Sequence, residues 1–349
     1  MSADPSQLKK IKEFSYKDIF FSMERIPQTE RLFYGSSDFN VYHIDMAVEK
    51  SEPTAFSGDG HRSYVTGITL AAGYVVSGGY DGRLVWWDAE NHQQVRAVNA
   101  HQKWIRGVFA HPDGQTFVSI ADDMLVKLWD AESGRLLHTL VDHKPITPNH
   151  YPSMLFAATF SSDGKLLATA DKVGHIVIWE TATGQKLAEL EAPVMYTWDP
   201  KQRRHSIGGI RSVAFSRDSK LLAAGGIGQI GNVDHLGGPS RVEVFDWEAG
   251  KRLHELEDDK LKGLVEQICF HESGDWFLAA GGDHNGFVTF YDTKTGKMIK
   301  QEKAPMHIHE FAFDETFETL YAVGHNKIAV WQLKDEKVKP VEAPVPAVG

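Results

Sequence analysis

"HRSYVTGITLAAGYVVSGGYDGRLVWWD", residues 61–88, and "HQKWIRGVFAHPDGQTFVSIADDMLVKLWD", residues 101–130, decide the fold. Each opens on a histidine and closes on Trp-Asp. Between those ends lie short runs such as "YVVSGG", "RLVWWD", "IRGVFA", "TFVSIA" and "LVKLWD", rich in β-branched and aromatic residues and separated by Gly, Pro and Asp turns. Runs of that length and punctuation read as antiparallel strands, and no segment sustains the 3.6-residue period of a helix. The spacing Ser-x3-Asp-x5-Trp is shared by Ser77, Asp81 and Trp87 and by Ser119, Asp123 and Trp129.

Working outward, the run that ends in an aromatic and an acid recurs. "NVYHID" occupies 40–45, "HIVIWE" 175–180, "RVEVFD" 241–246, "FVTFYD" 287–292 and "KIAVWQ" 327–332. The aromatic slot holds Trp87, Trp129, Trp179, Phe245, Tyr291 and Trp331, with Ile44 in the first copy. After the acid, a turn reaches Gly134, Gly184, Gly250 or Gly296, and a fourth run such as "RLLHTL" or "KRLHEL" follows. Four short strands in a unit of about 40 to 45 residues are the pattern of a propeller blade.

These residues resemble the repeats of the WD-repeat β-propeller family. The resemblance implies an all-β fold, a seven-bladed β-propeller of four-stranded antiparallel blades, with blade centres near residues 44, 87, 129, 179, 245, 291 and 331. One domain is expected over 1–345, with 346–349 as a mobile C-terminal tail. The resemblance also implies a buried hydrogen-bonded network in the two best-matched repeats: His61, Ser77, Asp81 and Trp87, then His101, Ser119, Asp123 and Trp129. Elsewhere the pattern decays. Val173, Asn285 and His325 stand in the acid slot, so the network is not expected in those repeats. The outer strand of the last blade is expected from the N-terminal "LKKIKEF" rather than the C-terminal "KVKPVEAPV".

Composition narrows the function classes. A net charge of −10 argues against general nucleic-acid binding or attraction to an anionic membrane. The single cysteine, Cys269, permits no internal disulfide and no thiolate metal cluster. The N-terminal "MSADPSQLKKIKEF" has no signal-peptide core, and no apolar run approaches a membrane span, so a cytoplasmic location is expected.

Deviations from the period carry more functional information than the period itself. From Trp87 to Ile105 is 18 positions, whereas Trp129 to Leu155 is 26 and Trp179 to Ile210 is 31. Ile105 to Trp129 is 24 positions, whereas Ile210 to Phe245 is 35. Three insertions result, at 143–153, 192–207 and 226–240, all at connections that emerge on the face carrying the network His and Asp. They offer His150, Tyr151, Tyr196, Trp198, Lys201, Arg203 and Arg204, and Trp104 sits at the same kind of connection one repeat away. Aromatics and arginine are the commonest interface anchors. The expectation is a non-catalytic scaffold or adaptor, monomeric or a subunit of a hetero-complex, that binds a protein partner on this sector. The alternatives are a phospho-peptide or small-anion sensor using the same loops, or a propeller enzyme with a metal-dependent site.

Chemical signatures are weak by comparison. Gly226, Gly228 and Gly231 spell GxGxxG after an apolar run, but "NVDHLGGPS" follows and cannot open the helix that a dinucleotide turn needs. In "HIHE", His307 and His309 share a strand face while Glu310 points to the other, and a third ligand would have to come from elsewhere. No cofactor and no metal are expected on that basis. Thr66, Arg106, Phe156, Arg211, Glu266 and His309 occupy equivalent inner-strand positions and are expected near a central channel.

Overall fold

The computed structural model describes residues 3–334, and among them the regular elements are β-strands and two short 3-10 turns. Five sheets have four antiparallel strands each, spanning residues 65–99, 105–141, 155–191, 212–258 and 264–304. The sixth has six strands. No helix among the described residues is long and apolar enough to cross a membrane.

The expected ring of seven four-stranded blades is therefore corrected: among the described residues there are six sheets of four or more strands, beside one two-stranded hairpin. The cause lies in two long strands. Lys9–Arg25 is a single strand of 17 residues, whose first half pairs with Thr319–Gln332 and whose second half pairs with Arg31–Ser36. Thr319–Gln332 also runs unbroken and pairs at its start with Ile308–Phe313. The first and last repeats thereby merge into one sheet, continued by Val41–Asp45 and the two-residue strand Thr54–Ala55. In the pairing that joins the chain ends, Lys9 faces Gln332 and Phe14 faces Ile328. The C-terminal segment "KVKPVEAPV", the alternative for that edge, lies outside the described residues.

Why the sequence builds these sheets is visible in the sheet of residues 65–99. Along Arg83–Asp88 the side chains of Leu84, Val85, Trp86 and Trp87 are all buried, because both faces of the strand meet neighbouring sheets. A strand covered on both faces shows continuous apolar residues rather than alternation. The outer strand Gln94–Asn99 has no buried residue and reads as alternating and polar. Trp86 reaches toward the next sheet, its Nε1 donating to the Ala131 carbonyl at 2.8 Å and its ring meeting Phe117 edge-on at 5.6 Å. Contacts of this kind between neighbouring sheets make one core cluster per junction.

The insertion at 192–207 is more ordered than the loop expected from its sequence. Pro193–Met195 forms a 3-10 turn, and Tyr196–Asp199 pairs with His205–Gly208 as a separate two-stranded hairpin. Of the glycines in the GxGxxG match, Gly226 has a packing role, whereas a Cβ on Gly231 would meet nothing within 4 Å. A Cβ on Gly226 would lie 2.4 Å from the Gly209 carbonyl, so the hairpin's base can sit against this strand only because the position is glycine. Strand Leu221–Ile227 runs into a loop, not a helix.

Candidate functional site

One face of the molecule is pinned by three polar networks. In the first, Asp81 lies 3.1 Å from His61 Nδ1, Ser77 Oγ lies 2.8 Å from His61 Nε2, and Trp87 Nε1 donates to Ser77 Oγ at 2.8 Å. In the second, the same atoms of Asp123, His101, Ser119 and Trp129 lie 3.0, 2.8 and 2.9 Å apart. The geometry sets the proton positions. The carboxylate accepts from Nδ1–H, so Nε2 accepts from the serine hydroxyl, which in turn accepts from the tryptophan N–H. Burial works against ionisation of Asp81 and Asp123, yet the histidine hydrogen bond, the histidine charge and the backbone amides together outweigh it and hold both carboxyls below the usual range. Burial lowers His101 despite its aspartate, which favours the neutral ring.

The third network corrects the expectation based on Val173. His143 Nδ1 lies 3.0 Å from Asp171, His143 Nε2 lies 2.9 Å from Thr169 Oγ1, and Trp179 Nε1 donates to that oxygen at 2.9 Å. The acid comes from the end of the strand, two residues before Val173, and Asp171 still accepts from the Val173 and His175 amides of the turn. The available signal was "LLATAD" with a histidine upstream, obscured because the Ser-x3-Asp spacing is replaced by Thr-x1-Asp. His143 is consequently a buried structural residue and not part of the exposed insertion that follows it.

The three insertions interlock. Tyr151 donates its hydroxyl to the Asp199 carbonyl at 3.0 Å, and Tyr196 lies 3.1 Å from Thr147 Oγ1, tying 143–153 to the hairpin. The Ile230 amide donates to Thr197 Oγ1 at 3.1 Å, and Arg203 pairs with Asp234 at 2.5 Å, tying the hairpin to 226–240. Tyr151 and Tyr196 are thus half-buried spacers within the cluster. Trp198, 44% exposed, is its outward aromatic, with His150, Lys201, Arg203 and Arg204 exposed around it.

Trp104 belongs to a neighbouring patch. It is 47% exposed and stacks on Tyr80 with ring centroids 4.4 Å apart. The Arg106 guanidinium lies 5.3 Å from the Trp104 centroid, makes a paired contact with Asp122 at 2.8 and 2.7 Å, and reaches Met154. Tyr80, Lys103, Trp104, Asp122 and Met154 line a depression of about 400 Å³.

The inner-strand residues do meet around a channel cavity of about 320 Å³, lined by Thr66, Arg106, Phe156, Arg211, Glu266 and His309. Its charges are mixed. Arg211 sits 3.5 Å above the Phe156 ring, and burial pulls its guanidinium down to about 10. Lys172, buried and near Arg211, is lowered to about 8. Glu310 accepts from the Met23 amide at 2.7 Å, and burial raises it to about 8. Burial pushes the Cys269 thiol up to about 12, far from the range of a nucleophile.

Fold and site together define a β-propeller with one elaborated face. The family model described as "WD domain, G-beta repeat" matches residues 53–88 and 92–130, the two repeats with the regular network. Those two segments are WD repeats, and the relatives that match over longer stretches include one named for such repeats. The chain is 27% identical over 259 residues to telomerase protein component 1 of Mus musculus, covering 74% of this chain and 8% of that protein. It is 26% identical over 210 residues to eukaryotic translation initiation factor 3 subunit I of Candida albicans, covering 58% of this chain and 52% of that one. It is 25% identical over 184 residues to WD repeat-containing protein VIP3 of Arabidopsis thaliana, covering 52% and 51%. The chain therefore spans a small fraction of the first of these relatives and about half of the other two.

Proposed function

We propose that this chain is a non-catalytic protein-interaction platform whose partner docks on the sector built by 144–153, 192–207 and 226–240. The observation that carries the reading is the interlock itself. Three insertions in one degenerate repeat array are cross-braced by Tyr151, Tyr196, Thr197 and Arg203, and the bracing leaves Trp198 turned to solvent. A pre-ordered surface of this kind loses little conformational entropy on binding. Relatives named as components of telomerase and of translation initiation factor 3 fit a part in assemblies. Arg203 is already paired with Asp234, which weakens the case for an oxyanion fork at that position.

The test is quantitative capture from source lysate with a Trp104→Ala/Trp198→Ala double variant. Each anchor should contribute about 2 kcal/mol or more, at least about thirtyfold in affinity, so the double variant should lose the partners that wild type retains. A Val141→Ser/Leu187→Ser control, altering exposed residues on outer strands, should keep them. A folded double variant that captures the same partners at the same yield overturns the proposal.

A further inference from the structure

We propose that His307, His309 and His325 form a binding site for a divalent first-row transition metal such as zinc, with the Glu266 carboxylate alongside. This inference is independent of the docking sector. The third imidazole missing from "HIHE" arrives from the position where the best-matched repeats carry their turn aspartate. His325 lies between the two halves of Thr319–Gln332, and its amide donates to the His307 carbonyl at 3.0 Å. That approach depends on Gly324, where a Cβ would fall 1.8 Å from the same carbonyl. On the other side, a bulge between Ile308 and Glu310 breaks the strand register at His309. The His307 and His309 rings stack with centroids 4.6 Å apart, and His325 stands 4.8 and 5.0 Å from them.

One ligand nitrogen from each ring lies within 4.8 Å of the other two. Tetrahedral zinc with bonds of about 2.0–2.1 Å needs nitrogens roughly 3.3 Å apart, a contraction that rotation of the rings can supply. His309 Nε2 is buried and has no hydrogen-bond partner among the described residues. A buried orphan nitrogen is costly, and a metal would satisfy it. Glu266 lies 3.1 Å from His307 Nε2. It supplies the negative charge and the orienting acceptor that metal-bound histidines use. Three imidazole nitrogens suit zinc and its neighbours, not magnesium or calcium.

The experiment titrates the chelator-stripped full chain with zinc chloride and, in parallel, magnesium chloride by calorimetry, and counts retained metal after dialysis. One zinc per chain, no magnesium, and a dissociation constant well below about 100 μM are expected. His309→Ala and His325→Ala should each weaken zinc by about tenfold or more. His325 is only partly buried, so its variant keeps the test open should the His309 variant fail to fold. Cobalt should give the visible absorption of a tetrahedral site in wild type and lose it in His325→Ala. Absence of saturable zinc binding by wild type, or binding unchanged in a folded His325→Ala protein, overturns the proposal.

Discussion

Glu243→Ala should destabilise the chain by about 3–5 kcal/mol, because it strands a buried arginine. Arg241 and Glu243 sit two apart on the strand Ser240–Asp246 and contact each other at 2.7 Å, with side chains 5% and 0% exposed. The register places Glu257 opposite Arg241 and Glu255 opposite Glu243 on the next strand. Arg241 uses all three of its nitrogens, on Glu243, Glu255 and Glu257. Arg252 Nε lies 2.7 Å from the second Glu243 oxygen without hydrogen-bond alignment, so that contact is Coulombic. Removing Glu243 takes away the one fully buried member of the cluster and leaves Arg241 to its two rim partners. Glu255→Ala, at a side chain 51% exposed, should cost no more than about 1 kcal/mol. An Arg241→Met/Glu243→Leu double variant should recover much of the loss, since no buried charge is then unpaired. Urea denaturation followed by tryptophan fluorescence measures all three. A Glu243→Ala protein within about 1 kcal/mol of wild type would contradict the burial argument.

Thr169→Val is expected to cost about 2–4 kcal/mol, although it preserves shape. The hydroxyl is the shared node of the third network: it accepts from Trp179 Nε1 and donates to His143 Nε2. Valine leaves both of those buried groups unsatisfied. Because the residues act as one chain of bonds, Thr169→Val and His143→Ala should fall well short of additivity in a double-mutant cycle. Full additivity in the same denaturation measurement would mean that the network does not act as a unit.

Much of the fold was legible because each strand carries its own evidence. The Trp87 and Trp129 repeats state their strand order, turn residues and buried hydrogen bonds in a fixed spacing, and the structure places those atoms 2.8–3.1 Å apart. What the spacing does not encode is whether a strand stops. Thr319–Gln332 continues through His325, which stands at the acid slot of the repeats, Lys9–Arg25 runs on past "LKKIKEF", and that continuity merges the terminal repeats into one sheet. Thr169 and Asp171 show a second limit, since equivalent hydrogen bonds can be made from different backbone positions.

The candidate site was half legible. Period breaks located the three insertions, but not the hairpin at 196–208 or the division between Tyr196, turned inward to Thr147, and Trp198, turned outward. That division depends on which face of a two-stranded ribbon meets the propeller. The Arg241 cluster, and His325 as the third member beside His307 and His309, were missed because the members come from separate strands. Only the cross-strand register brings Glu255 and Glu257 to Arg241, or His325 to His307.

Hydrogen–deuterium exchange of the chain alone and with its captured partner tests the central claim most directly. The account predicts slowed exchange in 144–153, 192–207 and 226–240, extending to the Trp104 connection. Protection confined to the turns at 111–114 and 161–164 or to the outer strands at 136–141 and 186–191, with the three insertions unchanged, would contradict it.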